Sequence, residues 1–169
     1  MKIAIIPGSF DPMTLGHVNV VERAALLFDE VVVAVMNNES KRYMLTAEQR
    51  TEAARLSCAH IPGVCVINDH GMLVDLVDRV GACAIVKGIR DEKDLAYEQK
   101  MAQYNREKNP RAETLYLPCD PQFEQVSSTA VRQRLTDGRS VEGLVCEAVA
   151  AKLVEWGKTC PAKSETSKF

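Results

Sequence analysis

A chain of 169 residues, 46% hydrophobic and 26% charged, has the size and composition of one globular domain whose core needs neither disulfides nor a structural metal. A formal net charge of -2 excludes the broadly basic surface of a nucleic-acid binder, and no apolar run reaches membrane-spanning length. The opening Met1 to Pro7 is too short for a signal peptide, so a cytoplasmic protein is expected.

Ile3 to Ile6 is an apolar run of strand length, and Val18 to Phe28 carries Val20, Val21, Ala24, Ala25, Leu27 and Phe28 at helical spacing. Between them runs Pro7-Gly8-Ser9-Phe10-Asp11-Pro12-Met13-Thr14-Leu15-Gly16-His17. Gly8 permits a close backbone approach or a turn, Pro12 fixes one φ, and His17 falls at the first helical turn, where free N–H groups attract anions. Taken alone, the stretch reads equally as an ordinary capped loop or as an anion site.

Val31 to Met36 is a second strand, and Asn37 to Tyr43 a polar loop with Lys41 and Arg42. Thr46-Ala47-Glu48-Gln49 is a capping-box pattern opening a helix to about Ala59. After Pro62-Gly63, Val64 to Ile67 is a third strand, and Gly71 to Val80 a short helix ended by Gly81. Cys83 to Val86 is a fourth strand leading into Lys87-Gly88-Ile89-Arg90; Asp91 to Lys108 is a long charged helix ending before Asn109-Pro110. Glu113 to Leu117 forms a fifth strand, Gln122 to Val126 a loop, and Ser127-Ser128-Thr129 caps a helix to about Thr136. A final helix is expected from Ser140 to Gly157, carrying Leu144, Val145, Ala148, Leu153 and Trp156, so that residues 1–157 make one domain and 158–169 a disordered tail. The six cysteines, Cys58, Cys65, Cys83, Cys119, Cys146 and Cys160, form no C-x-x-C pair, and buried free thiols are expected.

Five strand–helix alternations, with strands apolar on both faces, predict an α/β fold: a Rossmann-like doubly wound five-stranded parallel sheet with extra C-terminal helices. Such sheets bind ligands at the carboxyl ends of their strands. The unusual stretches fall there: Pro7 to His17, Lys41, Gly71 to Leu73, Lys87 to Arg90, and Phe123 to Arg132. The opposite loops carry turn residues only. Ser9, His17, Lys41, Lys87, Arg90, Ser127, Ser128, Thr129 and Arg132 are cations, hydroxyls and helix starts, a set suited to several phosphate groups. No acidic cluster suggests a protein-held metal, and neither G-x-x-x-x-G-K-[ST] nor G-x-G-x-x-G occurs. Each cation alone reads as a solvated side chain, and Ser127 to Thr129 as a plain helix cap; their convergence on one edge favours a composite site.

Thr14-Leu15-Gly16-His17 resembles the (T/H)-x-G-H signature of the nucleotidyltransferase α/β-phosphodiesterase superfamily, and Val126 to Arg132 its I-S-S-[ST]-x-[VI]-[RK] signature. Lys87-Gly88-Ile89-Arg90 with Tyr97-Glu98 is similar to the R-G-[LI]-R…[FY]-E pattern of the phosphopantetheine adenylyltransferase family, and Lys41 matches that family's lysine after the second strand. The resemblance runs from about Lys2 to Trp156. It implies adenylyl transfer from ATP to 4'-phosphopantetheine, giving dephospho-coenzyme A and pyrophosphate, with Mg²⁺ carried on the nucleotide phosphates. It implies further that His17 stabilises the transition state. ATP would meet Ser9, Phe10, His17, Gly88, Ile89, Arg90, Glu98, Phe123, Glu124, Gln125, Val126, Ser127, Ser128 and Thr129. Phosphopantetheine would meet Ser9, Lys41, Leu73 and Lys87. A cytoplasmic homohexamer inhibited by coenzyme A is implied as well. Lys87 stands where the family usually has arginine, which removes a bidentate fork from phosphate binding. A sibling enzyme acting on nicotinamide mononucleotide or glycerol 3-phosphate, and a nucleotide-binding module without catalysis, are the alternatives.

Overall fold

Strands β1 (Ile3–Gly8), β2 (Glu30–Met36), β3 (Val64–Asp69), β4 (Ala84–Ile89) and β5 (Thr114–Pro118) pair in the order β3-β2-β1-β4-β5, every pair parallel. The computed structural model describes residues 1–158; the tail expected over residues 158–169 lies, but for Lys158, outside the described ones. The chain works outward from β1 through β2 to β3 and returns to lay β4 on the other side of β1. Strand order therefore reverses between β1 and β4, where the loops after the two strands part and leave a crevice.

The period-2 alternation of the strands sends side chains to two separate cores. Ala4, Ile6, Val31, Val33, Val35 and Val86 pack with Val18, Val21 and Ala24 of α1 (Leu15–Ala25) and with Ala54 and Cys58 of α2 (Ala47–Cys58). Ile5, Val32, Ala34 and Ile85 face the other way, onto Val74, Leu76 and Val77 of α3 (Leu73–Val80). Helix α4 (Glu92–Lys108) lies on the same side, touching α3 and β4. Helices α5 (Ser128–Thr136) and α6 (Glu147–Glu155) bury Val131, Leu135, Val149 and Leu153 against Leu45 and Ala53 in a third cluster. The doubly wound sheet and the additional C-terminal helices are thus as expected.

Four expectations need correction. The first helix is Leu15–Ala25, three residues earlier at both ends than Val18 to Phe28, because the Thr14 cap starts it before the apolar residues begin. The final helix starts at Glu147, not Ser140. Gly143 takes a left-handed φ of 76°, and the Leu144 carbonyl accepts the Leu15 N–H at 2.9 Å, so this segment buttresses the start of α1 instead of coiling. Strand β4 runs three residues further than its apolar run, because Lys87, Gly88 and Ile89 stay in register with Tyr116, Leu117 and Pro118. The described cysteines are free, but only Cys58 is buried; Cys65, on the edge strand β3, and Cys83 are exposed.

Candidate functional site

The chain meets α1 through Thr14, whose side chain accepts the His17 N–H at 3.4 Å, while His17 Nδ1 accepts the Thr14 N–H at 3.0 Å. The capping box is therefore closed by a histidine where a glutamate or glutamine is usual. A backbone amide can only donate, so Nδ1 is unprotonated and the imidazole carries its hydrogen on Nε2. Burial, then the charges of Arg90 and Lys87, lower the His17 pKa to about 4. At neutral pH His17 is a neutral ring with one N–H to offer, and it lines the crevice at the β1/β4 switch.

The loop before Thr14 is held by its carbonyl oxygens. Phe10 takes φ 47°, a region unfavourable for a side chain with a Cβ. Around it, Arg50 donates to the Ser9 carbonyl at 2.7 Å, Arg132 to the Asp11 carbonyl at 2.8 Å, and Ser128 Oγ to the Pro12 carbonyl at 2.8 Å. The buried Asp11 carboxylate accepts the N–H groups of Met44 and Leu45 at 2.8 and 2.9 Å. Gly8 is explained here: a Cβ on it would lie 2.7 Å from the Phe10 ring, which packs over the strand end. The Phe10 ring in turn meets the His17 ring edge-to-face, with centroids 5.2 Å apart.

Two cations stand on the far wall, each matched by a carboxylate of α4. Arg90 is gripped by Asp94 through Nε at 2.8 Å and a second guanidinium nitrogen at 3.2 Å, and this hydrogen bonding holds the Asp94 carboxyl below its ordinary range. Lys87 Nζ lies 3.0 Å from Glu98 Oε1. Asp94 and Glu98 are one helical turn apart and so share a face of α4.

These residues border two clefts. The first, about 320 Å³, is lined by Gly8, Phe10, Thr14, Gly16, His17, Lys87, Gly88, Arg90, Asp94, Glu98, Cys119, Val126, Ser127, Ser128 and Thr129, among others. The second, about 610 Å³, runs past Asn37, Met72, Leu73, Tyr97, Met101 and Asn105. Lys87 and Glu98 line both. Of the residues expected to meet the nucleotide, the structure thus gathers Phe10, His17, Gly88, Arg90, Glu98 and Val126 to Thr129 in one cleft. Leu73 falls in the other, as its separate assignment requires. Ser9, Ile89, Phe123, Glu124 and Gln125 line neither, although Phe123 packs beside Gly16. Lys41 is exposed beyond Asn38 and also lines neither. Arg132 holds the loop through the Asp11 carbonyl. Asp94 was missed, although its spacing four after Arg90 and four before Glu98 is legible in the sequence. Arg50 and Asp11 carried no such signal.

A doubly wound sheet with a helix-capping histidine and two cations at its switch point is a nucleotide-handling arrangement, and the chain belongs to the cytidylyltransferase-like family, whose pattern it matches over residues 5–134. It is 44% identical over 159 residues, 94% of this chain and 98% of the relative, to a phosphopantetheine adenylyltransferase of Symbiobacterium thermophilum. It is 39% identical over 155 residues, 92% of this chain and 97% of the relative, to a phosphopantetheine adenylyltransferase of Caldanaerobacter subterraneus subsp. tengcongensis. The resemblance carried by the motifs therefore holds over nearly the whole chain.

Proposed function

We propose that this protein transfers the adenylyl group of ATP to 4'-phosphopantetheine, releasing pyrophosphate. The observation that carries the reading is the neutral His17 facing Lys87 and Arg90 across one cleft, joined through Lys87 and Glu98 to a second cleft of larger volume. A phosphate oxygen of phosphopantetheine attacks the α-phosphorus of ATP. The bond from that phosphorus to the bridging oxygen breaks, and its electron pair leaves on pyrophosphate. No covalent enzyme intermediate is required. Catalysis is positioning and charge stabilisation: His17 offers its Nε2–H to the α-phosphate oxygen as charge builds there, and Arg90 and Lys87 supply full positive charge nearby.

In this reading the N-terminus of α5, with Ser127, Ser128 and Thr129, receives the β- and γ-phosphates. Gly88 and Ile89 offer backbone to the nucleotide, and Phe123, Glu124 and Gln125 close the approach to α5. Leu73 lines the pantetheine arm. Lys87 passes from Glu98 to the phosphate of phosphopantetheine, with Lys41 and Ser9 approaching from the loops after β2 and β1. Among the described residues no group of three histidine, cysteine or acidic side chains is placed to hold a metal ion. Mg²⁺ would come on the nucleotide phosphates and neutralise part of their charge. The family resemblance also supports a cytoplasmic homohexamer with coenzyme A as feedback inhibitor. No helix among the described residues is long and apolar enough to cross a membrane. The test is pyrophosphate release from ATP and Mg²⁺, with phosphopantetheine compared against nicotinamide mononucleotide and glycerol 3-phosphate. Release with phosphopantetheine alone is expected, and its absence refutes the reading.

A further inference from the structure

Arg50 is among the largest wholly buried side chains, 1% exposed, yet it takes part in none of the ion pairs among the described residues. A buried cation without a counter-charge is expensive, so its hydrogen bonds must define where it sits. Its acceptors are the Ser9 carbonyl at 2.7 Å, the Met36 carbonyl at 3.1 Å and the side-chain oxygen of Asn37. The Tyr43 ring covers the guanidinium carbon at 3.9 Å, and Nε is left unpartnered. One rigid fork thus joins the loop after β1 to the end of β2 from beneath, without lining either cleft.

We infer that Arg50 is a positioning residue that acts on His17 through Phe10. Ser9, whose carbonyl Arg50 holds, immediately precedes Phe10 at its left-handed φ of 47°, and the Phe10 ring meets the His17 ring at 86°. Unfavourable backbone of this kind persists only where surrounding contacts over-determine it. Releasing the Ser9 carbonyl lets Phe10 relax, and the face against which His17 is seated moves with it. Lysine at position 50 keeps the charge but gathers its donors on one nitrogen, without the planar fork that spans the separate Ser9, Met36 and Asn37 oxygens.

The inference rests on the proposed reaction only for its kinetic readout. Arg50→Lys and Arg50→Ala are compared with the wild type by thermal melting, by pyrophosphate release, and by the imidazole NMR signal of His17. In Arg50→Lys, a folded protein is expected with kcat lowered about tenfold and KM for ATP changed less than about threefold. Its His17 signal should be displaced, and millimolar guanidinium should recover part of the activity of Arg50→Ala. An unmoved His17 signal in Arg50→Lys overturns the inference whatever the activity. A kcat within about twofold of wild type, or a loss that vanishes when scaled to the folded fraction, overturns it as well. If Arg50→Ala does not fold, Arg50→Lys decides alone. If the wild type releases no pyrophosphate, the proposed reaction fails while the His17 signal still reports on Arg50.

Discussion

His17 should stay neutral far below the pH at which an ordinary histidine gains its proton. Its pKa of about 4, against 6.5 for the free side chain, follows from burial first and then from Arg90 and Lys87. At pH 5.5 a midpoint of 4 leaves roughly 97% of the ring neutral, whereas 6.5 would leave roughly 9%. The measurement is a histidine NMR titration, with the His17 signal assigned as the one absent from His17→Asn. Nitrogen-15 shifts should also report the hydrogen on Nε2, because the Thr14 amide occupies Nδ1. Lys87→Met should raise the midpoint, by less than the effect of burial. The same shift bears on stability. Between pH 6.5 and 4 the unfolded chain takes up a proton that folded His17 refuses, so this residue's contribution to stability falls as pH drops through that window and levels off below it. The loss from this one group is at most about 3 kcal/mol. A midpoint of 6 or above, or an Nδ1–H tautomer, would refute the reasoning.

A Cβ on Gly88 would come 2.7 Å from Val20 Cγ2, so Gly88→Ala should destabilise the fold by about 1–3 kcal/mol in urea unfolding. Adding Val20→Ala should relieve part of that loss, and strictly additive losses would show that the two do not collide. Asp11→Ala orphans the amides of Met44 and Leu45 and should lower stability by about 2–4 kcal/mol, again read by urea; a change under about 0.5 kcal/mol would contradict the pinned loop. The Cys58 thiol is pushed up to about 12 by burial, so iodoacetamide at pH 8 should label Cys83 in the native protein and leave Cys58 unmodified by peptide mass spectrometry. Equal labelling of the two would contradict its burial.

The sheet and the edge on which the site lies are both legible in the order of the residues. Apolar runs such as Val31 to Met36 separated by amphipathic helices leave few arrangements besides a covered parallel sheet, and that architecture places ligands at the strand ends. His17 was legible as a residue near the first helical turn, but its closing of a capping box with Thr14 was not, because histidine stands where that pattern has glutamate or glutamine. The remaining features depend on contacts between elements distant in the chain. Where β4 ends depends on pairing with β5, which overrides the polarity of Lys87 and the flexibility of Gly88. Where α6 begins depends on Leu15 claiming the carbonyl of Leu144, a contact between residues far apart in the chain. The pairing of Lys87 with Glu98, the hold of Arg50 on the Ser9 carbonyl and the burial that keeps His17 neutral all join separate elements. Local pattern carries no information about contacts of that kind, because they exist only once the sheet has brought its strand ends together.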